Sequence, residues 1–259
     1  MSKARSARSP FRALLAPGLA TLLVCSMLVG LGVWQLQRLQ WKEALIAQVG
    51  RRLKEAPIAA PGPGDWATLD LAEADFTPVT VSGTFLNDQE ALLYMTLSEP
   101  KGPLGGVGWL VFTPLKTDGG WIVYVNRGFV PDDHRLAASR ALGQPSGHVT
   151  VTGLLRRSDR PLHLFSDGIS RNNEWFAREP ALFAQAAGLP AHDVAPYSID
   201  ADASPNPGGM PQGGETFVVF PNNHLQYAAT WFGLALALIG VFIAYARGVM
   251  RRHAIDLQA

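Results

Sequence analysis

Hydrophobic residues fall into two uninterrupted runs near the ends of the chain and into an alternating pattern between them. The runs extend from Ala13 to Trp34 and from Leu225 to Ala246, and neither contains a charged side chain. At about 1.5 Å per helical residue, about 22 residues cover roughly 33 Å, enough to cross the hydrocarbon core of a bilayer. We therefore predict transmembrane helices over residues 13–34 and 227–246. The first run is longer than the apolar part of a cleaved signal peptide, which is the alternative, so we expect an uncleaved anchor.

Charged residues around the two runs predict the orientation of the chain. Four basic residues precede the first run, and three basic residues and one acidic residue follow the second: Lys3, Arg5, Arg8 and Arg12, then Arg247, Arg251, Arg252 and Asp256. An excess of Lys and Arg marks the cytoplasmic side, so tails 1–12 and 247–259 are predicted to be cytoplasmic. The central region, 35–226, contains the other 15 basic and 20 acidic residues. Its net charge of −5 argues against binding to nucleic acid.

The N-terminal sequence MSKARSARSPFR bears on the compartment. It is basic and contains serine, as does the start of a mitochondrial presequence. It is too short, however, to form a separate cleavable helix before the first run. We expect a multi-pass protein of the bacterial cell inner membrane with a periplasmic central domain, and the mitochondrial inner membrane is the alternative.

Residues 35–226 are predicted to form one β-rich α+β domain outside the membrane. The first helix is expected to continue until the prolines and glycines of APIAAPGPG end it. In TPVTVSGTF every second residue then faces the same side, which is typical of a half-buried strand. Further strands are predicted over 91–97, 107–115, 121–125, 148–157 and 215–220, with a short helix over 179–189. Hairpin connections such as KTDGG favour antiparallel pairing, so we expect an antiparallel sheet or a barrel-like one.

Most chemical signatures are missing from the sequence. The single cysteine, Cys25, excludes an intrachain disulfide and a zinc site built from several thiolates. No Cys pair or Met/His cluster is available to hold Cu(I), and no GxSxG or HExxH motif occurs. The glycine-rich GPLGGVG segment lacks the GK[ST] element of a phosphate-binding loop. We therefore predict that the protein is not an enzyme, and a dispersed site in a membrane-tethered enzyme is the alternative.

Two arginine-containing segments are predicted to be exposed. The VNRG segment is expected to end a strand in a turn, which would present Arg127 to a partner. Arg156, Arg157 and Arg160 are expected to be a solvated strand end, and the binding of an anionic group is the alternative.

One histidine lies at the predicted outer surface of the membrane. None of the six histidines pairs with another at metal-ligand spacing, but His224 immediately precedes the second run. At 3.6 residues per turn, Tyr227 or Ala228 and then Trp231 share its helical face. An imidazole beside an aromatic wall suits a haem-like macrocycle, which needs a nitrogen for its iron and an apolar slot for its ring. The alternative is a polar anchor at the membrane interface.

The end of the first run supplies further candidates at the same depth. Trp34 and Arg38 lie at the outer boundary of the first predicted span. If the two helices pack closely, Arg38 would approach His224, where its guanidinium could hold a propionate or, alternatively, a lipid phosphate. Small residues that would allow close packing are Gly30, Gly32 and Gly233.

Three ordered blocks carry a resemblance to a known family. They are Gly32-x-Trp34-Gln35-x-x-Arg38-x-x-Trp41-Lys42, the central FTPL and VNRGFVP segments, and PNNHLQYAATWF. With its two predicted spans, the chain resembles the Surfeit-locus family of cytochrome c oxidase assembly factors over nearly its whole length. The departures are Phe129, where the family would have Trp, and the ALLYMTLSEPKGPLGG segment.

The resemblance implies a non-enzymatic chaperone that inserts haem a into the largest subunit of cytochrome c oxidase. By motif, His224 is the implied iron ligand. The candidate haem-contacting residues beside it are Trp231, Tyr227, Arg38 and Trp34. The implied partners are the oxidase subunit and the lipid bilayer, with haem a synthase as a further one. The alternative is a scaffold that stabilises the oxidase subunit without binding haem.

Overall fold

The computed structural model describes residues 10–158, 173–216 and 222–256. Two compact units are present: the terminal segments Met1–Gln48 and Val219–Ala259 form one, and Val49–Val218 forms the other. Three predicted features lie outside the described residues: Arg160, the basic residues before Pro10, and most of the strand expected over 215–220.

The helices and strands follow one another along the chain in an order dominated by β structure. They are α1 (Pro10–Arg52), β1 (Ile58–Ala59), α2 (Leu71–Ala74), β2 (Pro78–Phe85), β3 (Ala91–Leu97), β4 (Gly106–Thr117), β5 (Ile122–Pro131), β6 (His148–Arg157), β7 (Glu174–Trp175), α3 (Pro180–Ala186), β8 (Val194–Ala201) and α4 (His224–Asp256). Short 3-10 helices lie at Asn87–Gln89, Asp132–His134, Ala137–Gly143, Ala191–Asp193 and Pro207–Gly209.

Helices α1 and α4 contain the two predicted spans. Both are long and apolar enough to cross a membrane. Buried residues make up none of the most apolar window of α1 and 11% of that of α4. A core helix of a soluble protein would bury its apolar face, whereas these helices expose large apolar side chains along their length. The prediction of two candidate membrane spans around a β-rich domain is confirmed.

Five strands of the central unit close into a barrel. The ring runs β2, β6, β8, β5 and β4, and β4 pairs with β2 to close it. Strand β4 has 12 residues, which lets its start pair with β3 and its end pair with β2. The barrel-like form of the predicted sheet is therefore confirmed.

Strand pairing in the sheet is mixed, whereas the sequence predicted antiparallel pairing throughout. Among the described strands, β5–β8, β1–β2 and β3–β7 are parallel, and the other pairs are antiparallel. Parallel strands need a crossover connection, and β6, β7 and α3 lie between β5 and β8 in the chain. Strand β8 was not predicted, although Ala195, Tyr197 and Ile199 alternate on its core face, because Pro196 interrupts the run and proline is disfavoured inside strands.

Strand β2 illustrates how the predicted alternation produces the barrel core. Val79, Val81 and Phe85 are buried inside the barrel with residues of β4, β5, β6 and β8. On the other face of β2, the Ser82 and Thr150 hydroxyls lie 2.8 Å apart across the β2–β6 pair. A second core cluster lies where Phe183 of α3 packs against aromatic residues of β4, β5 and β7.

The prediction of a turn at VNRG is wrong. Strand β5 continues through these residues to Pro131, and Arg127 is 2% exposed rather than presented to a partner. Asn126 is buried as well and donates to Asp200 Oδ1 at 2.9 Å. The sequence predicted a turn because these residues are polar. A sequence pattern does not show that they meet hydrogen-bond acceptors inside the fold.

Two buried tyrosines provide a test of hydrogen bonding in the central unit. Tyr197 donates to the backbone oxygen of Pro61 at 2.6 Å, whereas no residue in the described part of the chain bonds to the Tyr124 hydroxyl. We expect Tyr197→Phe to lower the free energy of unfolding by about 1 kcal/mol, because it removes a hydrogen bond. Tyr124→Phe should leave it unchanged or raise it. Urea denaturation at pH 8 measures both, and equal losses in the two variants would contradict the expectation.

The same tyrosines predict the alkaline behaviour of the central unit. Burial raises the pKa of both hydroxyls above the usual range. Because each folded pKa exceeds the unfolded value of about 10, the stability these groups contribute is present below about pH 10 and is lost as the pH rises further. Each Phe variant should therefore lose less stability than the wild type between pH 8 and 10.5.

Candidate functional site

Helices α1 and α4 lie side by side in opposite directions in the terminal unit. Gln35 of α1 contacts His224, and Cys25, nearly three turns earlier, lies 3.8 Å from the backbone oxygen of Ala235. Gly18, still earlier in α1, lies against the Phe242 ring. As the contacts move towards the start of α1, they move towards the end of α4, so the two helices form an antiparallel pair.

Small residues form the contact between the two helices. The Phe232 ring lies only 2.6 Å from where a Cβ at Gly32 would stand, and Ala228 is 1% exposed. This confirms the predicted use of Gly32. Gly30 and Gly233 do not take part, because no atom of the described residues lies within 4 Å of the position of their missing Cβ.

His224 is the first residue of α4 and is held by α1. Its Nδ1 lies 2.7 Å from Oε1 of Gln35, and both side chains are partly buried. Because Oε1 can only accept, this arrangement favours the neutral tautomer in which Nδ1 donates and Nε2 keeps its lone pair. The hydrogen bond therefore orients the ring and leaves one nitrogen available to a ligand.

Of the other predicted site residues, one is partly buried and three are exposed. Trp231 is partly buried two turns after His224, and its buried indole Nε1 has no hydrogen-bond partner among the described residues. Tyr227 and Trp34 are 54% and 50% exposed, so they face outward, and Ala228 takes the position against α1. The Arg38 guanidinium lies 4.6 Å from the centre of the Trp41 ring rather than on His224.

Gln35 was not predicted as a site residue. It lies in the sequence block at the end of the first predicted span, but an amide side chain at a membrane boundary does not by itself indicate one particular role. Only the pairing of the two helices shows that Gln35 meets the imidazole. The signal that could have found it is its position one turn after Gly32, the residue that allows the helices to approach.

The Gly32 contact predicts a difference between two glycine variants. Gly32→Leu should separate the helices because its side chain would collide with Phe232, whereas Gly30→Leu has open space. In an Ala235→Cys background, oxidation to a disulfide with Cys25 reports on the helix contact, because the Cys25 sulfur lies 3.8 Å from the backbone oxygen of Ala235. We expect nearly complete cross-linking with Gly30→Leu and only a minor fraction with Gly32→Leu, read by mass spectrometry. Equal yields would contradict the packing.

Several buried polar side chains of the central unit form closed networks. Asp200 is 2% exposed and receives Arg178, Arg156 and Thr216 as well as Asn126. Arg156 also pairs with Asp75 at 3.0 Å, so it is tied into the fold rather than solvated. Within the described ranges, no group of three or more His, Cys, Asp or Glu residues is arranged to hold a metal ion.

Comparison with known proteins covers most of the chain. The family model described as "SURF1 family" matches residues 22–236. A SURF1-like protein of Monosiga brevicollis is 34% identical over 86% of this chain and 85% of its own length. Surfeit locus protein 1 of Homo sapiens is 34% identical over 83% of this chain and 73% of its own. The mouse protein of that name is 33% identical over 83% and 71%. The extent of these matches shows that the chain belongs to the SURF1 family.

Proposed function

We propose that the protein binds haem a at the outer ends of α1 and α4 and assists its insertion into the largest subunit of cytochrome c oxidase. Membership of the SURF1 family is consistent with oxidase assembly by a protein that is not an enzyme. The observation that carries the proposal is the hydrogen bond between His224 and Gln35. It supports an iron-binding role because the tautomer it favours has a free Nε2 lone pair, as iron ligation requires.

Trp231 supplies a second supporting observation. Its Nε1 is a buried donor without a partner, and such a group costs free energy unless something accepts its proton. Seven residues separate it from His224, which is about 10 Å along a helix. A macrocycle bound through His224 would extend along this face, and an acceptor oxygen on its edge would satisfy the indole.

Exposed groups around His224 suit the rest of an amphipathic ligand. Tyr227 and Trp34 present half-exposed aromatic rings, and Arg38 presents an exposed guanidinium that can pair with a propionate. A haem held by one histidine at an open surface can leave again. This property fits a carrier, because a protein that delivers haem must also release it.

Transfer to the oxidase subunit needs a docking surface. The central unit exposes large apolar side chains, among them Leu136, Leu142 and Phe176, at 72%, 76% and 65%. Such residues favour contact with another protein. They support equally the second candidate function, a scaffold that stabilises the nascent subunit without haem.

Haem content separates the two candidates. Full-length protein is purified in detergent from cells that make haem a and from matched cells that make only haem b. The proposal expects a Soret band and extractable haem a from the first preparation. A colourless protein that still binds the oxidase subunit would contradict haem binding and support the scaffold. If the purified protein also binds haem a synthase, this would indicate that it receives haem a from that enzyme.

The expected topology has its own test. We propose that both termini are cytoplasmic and that the central domain is periplasmic, in a bacterial cell inner membrane. A reporter that is active only in the periplasm, fused after Gly64, should be active, and the same reporter fused after Arg252 should be silent. The reverse pattern would overturn the orientation.

A further inference from the structure

Arg127 places a positive charge at one end of the barrel interior. It follows Val123 and Val125 on β5, and alternate residues of a strand point to the same face. Its guanidinium lies 4.7 Å from the centre of the Phe85 ring, which belongs to the barrel core. Arg127 is among the largest fully buried side chains of the described residues.

This arginine differs from the other buried arginines of the described chain. Arg140 pairs with Glu90 at 2.6 Å, and Arg178 pairs with Asp200 at 3.0 Å. Arg127 makes no ion pair with any described carboxylate. The charge of Glu90 acts on Arg127 without contact, and Glu90 is itself paired with Arg140. A buried charge that lacks a contacting counter-ion is costly.

Neutral acceptors satisfy only part of the Arg127 guanidinium. Nη2 donates to the backbone oxygen of Gly143 at 2.6 Å and to Asn206 Oδ1 at 3.2 Å. Nη1 is buried, and no described residue accepts a hydrogen bond from it. Burial lowers the pKa of Arg127 to about 10, so the group stays cationic at neutral pH. Nη1 therefore lacks an acceptor among the described residues, and an anion that enters beside Arg127 would supply one.

A cavity of about 290 Å³ adjoins this guanidinium. Its walls are mainly apolar and include Phe85, Val125, Val149 and Val151. Pocket volumes near 300 Å³ lie at the lower end of small-molecule sites, which combine apolar walls with a few placed polar groups. Asp202 also lines the cavity; it is exposed and accepts the amide of Ser204 at 2.9 Å. Its negative charge disfavours a dianion such as phosphate.

We propose that this cavity binds a small amphipathic carboxylate. The carboxylate pairs with the guanidinium of Arg127, and a short hydrocarbon part packs on the apolar walls. The monoanion supplies the missing counter-charge, and the cavity volume limits the ligand to a few carbons beyond the carboxylate. The inference concerns the central unit alone and does not depend on haem binding.

Titration calorimetry on the full chain in detergent tests the proposal, with sodium hexanoate as the probe. Its neutral isostere hexanamide tests the need for charge, and acetate and sulfate test the need for a hydrocarbon part. Arg127→Met removes the charge, and the matched control Arg157→Met removes an arginine that is 52% exposed and lines no part of this cavity. Val149→Phe fills the cavity and keeps Arg127.

Hexanoate should bind the wild type and the Arg157→Met variant equally, and at least about tenfold more tightly than hexanamide. Arg127→Met should weaken hexanoate binding at least about tenfold, and Val149→Phe should abolish it. If Arg127→Met fails to fold, the hexanamide comparison and Val149→Phe still decide the question. Equal binding of acid and amide, stronger binding of sulfate, or no binding to the wild type would each overturn the proposal.

Discussion

His224→Ala is expected to abolish haem retention by the purified protein. The substitution removes the imidazole that α1 orients and leaves the helix contacts at Gly32 and Ala228 in place. The Soret absorbance per polypeptide should fall to background, while the yield and the circular dichroism spectrum stay unchanged. His192→Ala is the matched control, because the His192 side chain is 84% exposed in the central unit.

Gln35 variants show whether the hydrogen bond to His224 matters in itself. Gln35→Leu keeps the iron ligand but removes its acceptor, and losing such a supporting group typically costs about 10–100-fold in metal affinity. Gln35→Glu supplies an acceptor at the same place and should retain haem. Full haem retention by His224→Ala would contradict iron ligation by this residue. Equal haem content in the wild type and Gln35→Leu would contradict the positioning role of Gln35.

Gly128→Ala is expected to destabilise the central unit by about 3 kcal/mol or more. Gly128 has a φ of +124°, which side chains rarely adopt, and a Cβ there would stand 1.9 Å from the backbone oxygen of Gln212. Gln212 and Phe129 exchange two backbone hydrogen bonds of 2.8 Å, so the neighbouring segment cannot move away without losing them.

Gly120→Ala is the matched control for Gly128→Ala. Gly120 lies in the β4–β5 hairpin at a φ of +85°, but no atom lies within 4 Å of its missing Cβ. Its substitution carries only the backbone strain and should cost about 1 kcal/mol. Thermal unfolding of the purified variants measures both losses. Similar thermal unfolding midpoints for Gly128→Ala and Gly120→Ala would contradict the expectation, because they would show that Gln212 moves away from the added Cβ at little cost.

The alternating strands were predictable because each has one face in the core and the other in water. Strand β2 shows this, since apolar residues point into the barrel and hydroxyls pair on the outside. Strand β5 was misjudged after Val125 because Asn126 and Arg127 are polar yet buried, so they interrupt the apolar run without ending the strand. Strand β8 does alternate, with Ala195, Tyr197 and Ile199 on its core face, but Pro196 within the run argues against a strand from the sequence alone.

The candidate site was predictable to the extent that position along the chain defines it. His224 stands at the start of an uncharged run, so the sequence predicts an imidazole at the membrane edge. The sequence did not decide which residue lies beside His224, because helical periodicity allows either Tyr227 or Ala228 there. Which of these two residues faces α1 depends on which side of α4 packs against it. Ala228 faces α1 because a small residue lets the two helices approach each other.

Local composition by itself determined the two apolar helices, the β-rich domain between them and the histidine at their boundary. The helices follow from uninterrupted hydrophobic runs, and the strands follow from the alternation of apolar and polar residues. Both patterns are formed by residues that are close together in the sequence. Only the tertiary structure decided that the barrel closes through β2 and β4, that Gln35 meets His224, and that Arg127 is buried without a carboxylate. Each of these depends on residues far apart in sequence, and such contacts arise from packing and hydrogen bonding across the fold.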